Sequence, residues 1–236
     1  MQGILLVDKP VDWTSFDVVN YVRRIVANVE GKKPKNCKVG HSGTLDPFAT
    51  GLLILLIGKE YTRRASEFSK QDKTYEMTMV LGKTSTTGDP EGELTDVSNR
   101  QPTEQEIKDA LEQFKGEIQQ VPPAFSAIKV NGVRAYKLAR DGKEVVIEAR
   151  PVTILSLKLI SYNYPEVKLV TEVSSGTYIR TLVEDIGKVL GTEAYTSKLK
   201  RTHIKSYQLS DAVQVDCLNI YNLEQYLHTY TKNTTV

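Results

Sequence analysis

The sequence is poor in the residues that build metal sites and disulfide frameworks. It has two cysteines, Cys37 and Cys217, and three histidines, His41, His203 and His228, all scattered along the chain. Neither cysteine has a neighbour at metal-ligand spacing, and a two-cysteine chain of this kind is expected to be reduced. No metal and no cofactor are expected. Long apolar runs are missing as well: the longest, Leu52 to Ile57, falls far short of a membrane span. The N-terminus carries no signal or transit pattern, so no membrane association and a cytoplasmic location are expected. Charge of one sign is lacking too. The 31 basic and 29 acidic side chains leave a net charge of +2, too even for bulk charge to argue nucleic-acid binding. Two local basic clusters, one of Lys32, Lys33, Lys35 and Lys38 and one of Lys198, Lys200, Arg201 and Lys205, read as solvated faces.

What is present is an ordinary globular balance, 40% hydrophobic and 25% charged over 236 residues, enough to bury a full core. Gly3 to Val7 reads as a strand ending at Lys9-Pro10. Thr14 and Asp17 form a capping box for a helix with Val18, Val22, Ile25, Val26 and Val29 on one face. The continuous apolar run after Gly51 predicts a strand covered on both faces. Residues 74 to 81 alternate, with Tyr75, Met77, Met79 and Leu81 on one side, and predict a half-buried strand. The stretch from Gly82 to Asn99 reads as a loop, and Thr103 with Glu106 as a second capping box. Asn131-Gly132 is a hairpin signal, and Leu155, Leu157 and Leu159 are expected to share one strand face. A helix is expected from Tyr178, and a short one near Tyr221, Leu223, Tyr226 and Leu227. Strands and helices mix without regular βαβ alternation, which gives an α+β fold class.

Between Gly40 and Gly51 lies GHSGTLDPFATG, which has neither period. Pro47 keeps Asp46 out of the helical region, so a carboxylate sits on a stiff bend beside a buried strand. Such an aspartate either braces its own turn or is aimed at a substrate. Arg180 either pairs with Asp46 and keeps it ionised or lies on the surface. Tyr75 faces the apolar side of its strand, and Tyr178 suits either packing or stacking on a base. His41 reads as a packed loop histidine. A Gly-Lys-Thr at Gly82 to Thr84 is no phosphate-binding loop, because the glycine required five positions earlier is Met77.

Taken together these segments resemble the TruB family, the bacterial tRNA pseudouridine-55 synthases. The match runs from about Gly3 to Tyr207 and centres on GHSGTLDPFATG. LLVDKPVDWTS, DKTYEM, PPAFSAIKVNGVRAYKLAR, SSGTYIRTLVEDIGKVLG and the region from Leu199 to Arg201 follow the family order. The resemblance implies the pseudouridine synthase fold, a mixed and mostly antiparallel sheet flanked by helices with a central RNA-binding cleft. It makes Asp46 the nucleophile, Tyr75 the tyrosine beside the target base and Arg180 the ionic partner of the carboxylate. It makes Tyr178 and Leu199 lining residues of the uridine pocket and His41 a residue that packs against RNA. Lys9 and Pro10 match a structural motif near the site.

The implied reaction is isomerisation of a T-loop uridine in tRNA, with base flipping and no cofactor. The expected partner is the T-arm of tRNA, for a monomer with no guide RNA and no obligate protein partner. Residues 1–210 are expected to form the catalytic domain. Residues 211–236 are expected to be a short extension, too short for the PUA domain that many family members carry. A guide-RNA-dependent relative would need that domain. A tRNA-folding chaperone is a rival of another class, although chaperoning can coexist with catalysis. A glycoside hydrolase would need a second carboxylate, nominally Asp89 or Asp185.

Overall fold

The computed structural model describes residues 1–130, 132–142 and 145–229. They fall into two compact units, one made of residues 1–75 with residues 200–229 and one of the described residues within Glu76–Leu199.

In the first unit, β1 (Gly3–Lys9), the helix α1 (Ser15–Val29), β2 (Val39–His41) and β3 (Thr50–Ile57) follow one another. β1 and β2 both pair antiparallel with β3, β1 from Gly3 opposite Ile57 to Lys9 opposite Gly51. Lys200 and Arg201 run parallel to Thr50 and Gly51. β3 is apolar throughout because both of its faces are covered. Leu53, Leu55 and Ile57 pack with Val18, Val22, Ile25 and Val26 of α1, while Leu52, Ile54 and Leu56 pack with Phe68 and Ile204. α1 starts at the expected Thr14–Asp17 capping box, although Val29, placed on its apolar face from sequence, is exposed. The far side of β1 is also paired, by Val213–Gln214 in parallel and Leu227–His228 antiparallel. Val215, Leu218 and Leu223 close the same core. The short helix expected near Tyr221 is a 3-10 turn, Leu223–Tyr226.

The second unit contains most of β4 (Lys73–Leu81), then α2 (Glu104–Glu112), β5 (Gly116–Gln120), β6 (Arg150–Asn163), β7 (Glu166–Val173), α3 (Ile179–Val189) and part of β8 (Ala194–Ile204). Its strands lie in the order β4-β7-β6-β5, with β6 antiparallel to both neighbours. α2 packs on β6 and α3 through Ile107, Ala110 and Leu111, behind the expected Thr103–Glu106 capping box. The α+β class and the mostly antiparallel pairing agree with the sequence reading.

Three details differ. Leu155 does not share a face with Leu157. A bulge between Ile154 and Ser156 turns it outward, leaving it 49% exposed while Ile154 is buried. β4 is half-buried only at its start, because Thr78 and Val80 are buried along with Met77 and Met79. The expected loop from Gly82 contains a small ladder, Lys83–Ser85 against Leu94–Asp96, whose residues are too polar to show a strand pattern. At the expected hairpin, Lys129–Val130 pairs with Val133–Arg134, and Asn131 lies outside the described residues. Among the described residues, no helix is long and apolar enough to cross a membrane.

Gly51 shows why the β3–β8 contact demands glycine. Its φ is +100°, and a Cβ there would lie 2.3 Å from the Arg201 carbonyl oxygen, a backbone atom that cannot step aside. Gly31, with φ +61°, has open space where a Cβ would go. Gly51→Ala is expected to cost at least ~2 kcal/mol in urea unfolding, and Gly31→Ala about 1 kcal/mol. Equal costs would show that the close approach does not matter.

Candidate active site

The segment linking β2 to β3 has no regular structure, so its backbone polar groups need partners from elsewhere. They find them in order. The Gly43 carbonyl accepts from Arg201 Nη2 at 3.1 Å, and the Thr44 carbonyl from Arg201 Nη1 at a long 3.5 Å. Ser15 Oγ donates to the Leu45 carbonyl at 3.1 Å and accepts from the Leu45 N–H at 2.8 Å. The Asp46 carbonyl accepts from the Ala49 N–H at 3.1 Å. The Pro47 carbonyl takes the Asp12 N–H at 2.9 Å and Lys9 Nζ at 3.1 Å. Lys9 Nζ also donates to Pro10 and Trp13, and Arg201 Nε to Leu52 at 2.8 Å. Asp46 thus sits half-buried between two pinned neighbours.

The cations behind the loop are enclosed, with Lys9 0% and Arg201 1% exposed. The reading of Lys198, Lys200, Arg201 and Lys205 as one solvated face therefore fails at Arg201. Strand alternation turns Arg201 inward with Leu199, and leaves Lys198 and Lys200 outside. That same alternation was the signal that could have found it. The other cluster, Lys32 to Lys38, is exposed as expected.

Three further groups belong to the first unit. Tyr75 is buried in β4. His41 ends β2 opposite Leu55, and burial, together with the Arg201 charge, lowers its pKa, so the ring is neutral near pH 7. Its Nδ1 is buried without a protein partner. Lys73 donates to the Ser69 and Gln71 carbonyls at 3.0 and 2.5 Å. Burial first, and Arg201 second, bring its pKa down to about 8. A cavity of about 640 Å³ lined by Lys9, Trp13, Tyr21, Thr50 and Lys200, among others, also belongs to this unit, and none of the expected site residues lines it.

In the second unit, Arg180 lies in the first turn of α3 and is buried, so the surface reading is excluded. Its Nη1 donates to the Thr87 carbonyl at 2.7 Å and lies 3.3 Å from Asp89 Oδ2, and its Nη2 donates to the Phe125 carbonyl at 2.9 Å. Asp89 also accepts from Thr87 Oγ1 and the Glu91 N–H. A carboxylate so fully engaged is poorly suited to serve as the second acid of a glycosidase. Tyr178 is the N-cap residue of α3, and the Gln120 amide grips its backbone N–H and carbonyl at 2.8 and 3.0 Å. Leu199 is buried on β8. Sequence reasoning missed Ser15, Asp89 and Gln120 as supports, since nothing in their local pattern marks a long-range partner.

Because Lys73 titrates lower in the folded chain than its ordinary 10.5, the unfolded chain binds more protons between about pH 8 and 10.5. Its contribution to stability therefore rises with pH through that window. Lys73→Met is expected to flatten the rise, read from urea midpoints at several pH values. An unchanged slope would refute the depressed pKa.

Comparison with known proteins agrees along most of the chain. A family model described as TruB family pseudouridylate synthase (N terminal domain) matches residues 30–179, and one described as tRNA pseudouridylate synthase B C-terminal domain matches 180–232. A tRNA pseudouridine synthase B of Protochlamydia amoebophila is 42% identical over 229 residues, covering 96% of this chain and 84% of the relative. One of Phocaeicola vulgatus is 42% identical over 214 residues, 90% of each chain. Among solved structures, a chain of a Cbf5-Nop10-Gar1 complex matches with a TM-score of 0.70 at 26% identity, over 94% of this chain and 55% of that one. This chain thus spans about half the length of that structural neighbour. Matched by family models over most of its length and by relatives above the level at which family is in question, the chain belongs to the TruB family of pseudouridylate synthases.

Proposed function

We propose that the protein isomerises a T-loop uridine of tRNA, at position 55, to pseudouridine, with Asp46 as its catalytic carboxylate. The observation that carries this reading is the run of satisfied carbonyls from Gly43 to Pro47, which fixes the backbone on both sides of one half-buried carboxylate. Two relatives at 42% identity are named for tRNA, whereas the neighbour solved with Nop10 and Gar1 is 26% identical. That contrast favours direct action on tRNA over action within an assembly like that of the Nop10 and Gar1 neighbour.

The chemistry needs little else. The N1–C1′ bond breaks, the uracil turns, C5 joins C1′, and the C5 proton leaves for N1 by way of solvent, so no atoms are gained and no cofactor is required. The base must first leave its stack, at a cost of a few kcal/mol, which Tyr75, Tyr178 and Leu199 offset by aromatic and apolar contact. An ionised Asp46 then attacks C1′, attacks C6, or balances cationic character while a glycal forms, as carboxylates do at sugar carbons elsewhere. In the glycal route Tyr75 is the base for a sugar proton. The family resemblance makes Arg180 the ionic partner of the carboxylate, and His41, half-buried and neutral near pH 7, the residue that packs against the RNA.

Asp46→Asn is expected to bind an unmodified tRNA transcript normally. Its release of tritium from C5-labelled uridine is expected to fall by on the order of 10³-fold or more. Full turnover by that variant would remove Asp46 from the mechanism. Parental activity should persist in EDTA and without small RNAs, and a strict need for either would favour a different reading. A transcript whose T-loop uridine is replaced by cytidine should release no tritium; release from it would place the target elsewhere.

A further inference from the structure

The catalytic reading concerns a side chain; the geometry around it concerns three consecutive peptide groups. Thr14 and Asp17 already cap α1, which leaves the hydroxyl of the next residue, Ser15, available. Ser15 is buried and takes both backbone groups of Leu45, the residue directly before Asp46. Arg201, on a strand remote in sequence, takes the carbonyls of Gly43 and Thr44, directly before Leu45, and that of Leu52 beyond the bend. Among the described residues Arg201 has no carboxylate partner within ion-pair distance, so its guanidinium is given over to loop carbonyls. Its own backbone is fixed as well, since it pairs with Gly51 so closely that a Cβ there would collide with it.

From this we infer that Ser15 and Arg201 are positioning residues for catalysis, which set the direction of the Asp46 side chain through the backbone of residues 43–45. The inference rests on the assignment of Asp46 above. Both side chains are enclosed and face carbonyls, so they act on the rate through the loop and make no contact with the substrate. A general role in stability would lower the amount of folded protein; a positioning role slows each folded molecule. Misplacement of a reacting group by about 1 Å costs roughly 10²-fold in rate, and this sets the expected scale.

The test measures single-turnover isomerisation at saturating tRNA, and tRNA affinity, for Ser15→Ala, Ser15→Thr and Arg201→Lys. Ser15→Ala and Arg201→Lys are expected to slow the chemical step on the order of 10²-fold with unchanged affinity. Ser15→Thr, which keeps the hydroxyl, is expected to recover most of the rate. Combining Ser15→Ala with Arg201→Lys should cost less than the product of the two, because both release the same stretch of backbone. Ser15→Ala is too small a change to prevent folding, and it decides the matter if Arg201→Lys does not fold. A parental rate for Ser15→Ala, or a loss seen only in affinity or thermal stability, overturns the inference. Asp46→Asn measured alongside separates the two failures. If it is inactive while Ser15→Ala is normal, positioning alone is refuted. If it is active, the catalytic assignment falls and the positioning role with it.

Discussion

The structure around Asp46 depends on one constraint: a bend without secondary structure cannot enter a protein interior unless its carbonyls are paired. Here the side-chain partners are one lysine head, one arginine head and one hydroxyl, all enclosed, beside the backbone N–H groups of Asp12 and Ala49. Burying a charge costs several kcal/mol even after relaxation. Hydrogen bonds to charged groups return about 1.5–3 kcal/mol each, so three carbonyls on Lys9 and three on Arg201 are enough to offset that cost. Each head holds carbonyls on or beside the loop, Lys9 that of Pro47 and Arg201 those of Gly43 and Thr44.

That arrangement also explains the electrical character of the neighbourhood. Arg201, which among the described residues has no carboxylate within ion-pair distance, makes it costly for other groups nearby to be cationic. Lys73 and His41 both respond by favouring their neutral forms, with burial as the larger cause in each. In the second unit the balance is struck differently, because Arg180 meets a buried carboxylate, Asp89, as well as two carbonyls. Arginine is suited to both settings because its planar fork serves several acceptors at once.

Much of this was legible in the residues. The apolar run from Leu52 to Ile57 declared a strand covered on both faces, and the two capping boxes declared helix starts, because these signals are local. The bend at Asp46 was legible for the same reason, through Pro47 and its flanking glycines. What escaped was long-range or cancelled by irregularity. Leu155 was assigned to the wrong face because a single bulge reverses alternation downstream of it. Ser15 and Arg201 carry no mark in their own segments of the loop they hold, 30 and about 157 residues away in sequence. In its basic cluster Arg201 alone departs from the solvated-face reading, because strand period and not charge decides which side of β8 it faces.

The first unit is assembled from both ends of the chain, while the second is one continuous stretch. On the ribosome, Glu76–Leu199 is therefore complete before the first unit can be. The bend bearing Asp46 emerges early, yet its Gly43 and Thr44 carbonyls wait unsatisfied until Arg201 has been made, and β1 keeps a bare edge until residues 213–228 arrive to cover it. A nascent chain that stops before Arg201 would therefore carry the Asp46 bend without the side chain that holds its Gly43 and Thr44 carbonyls.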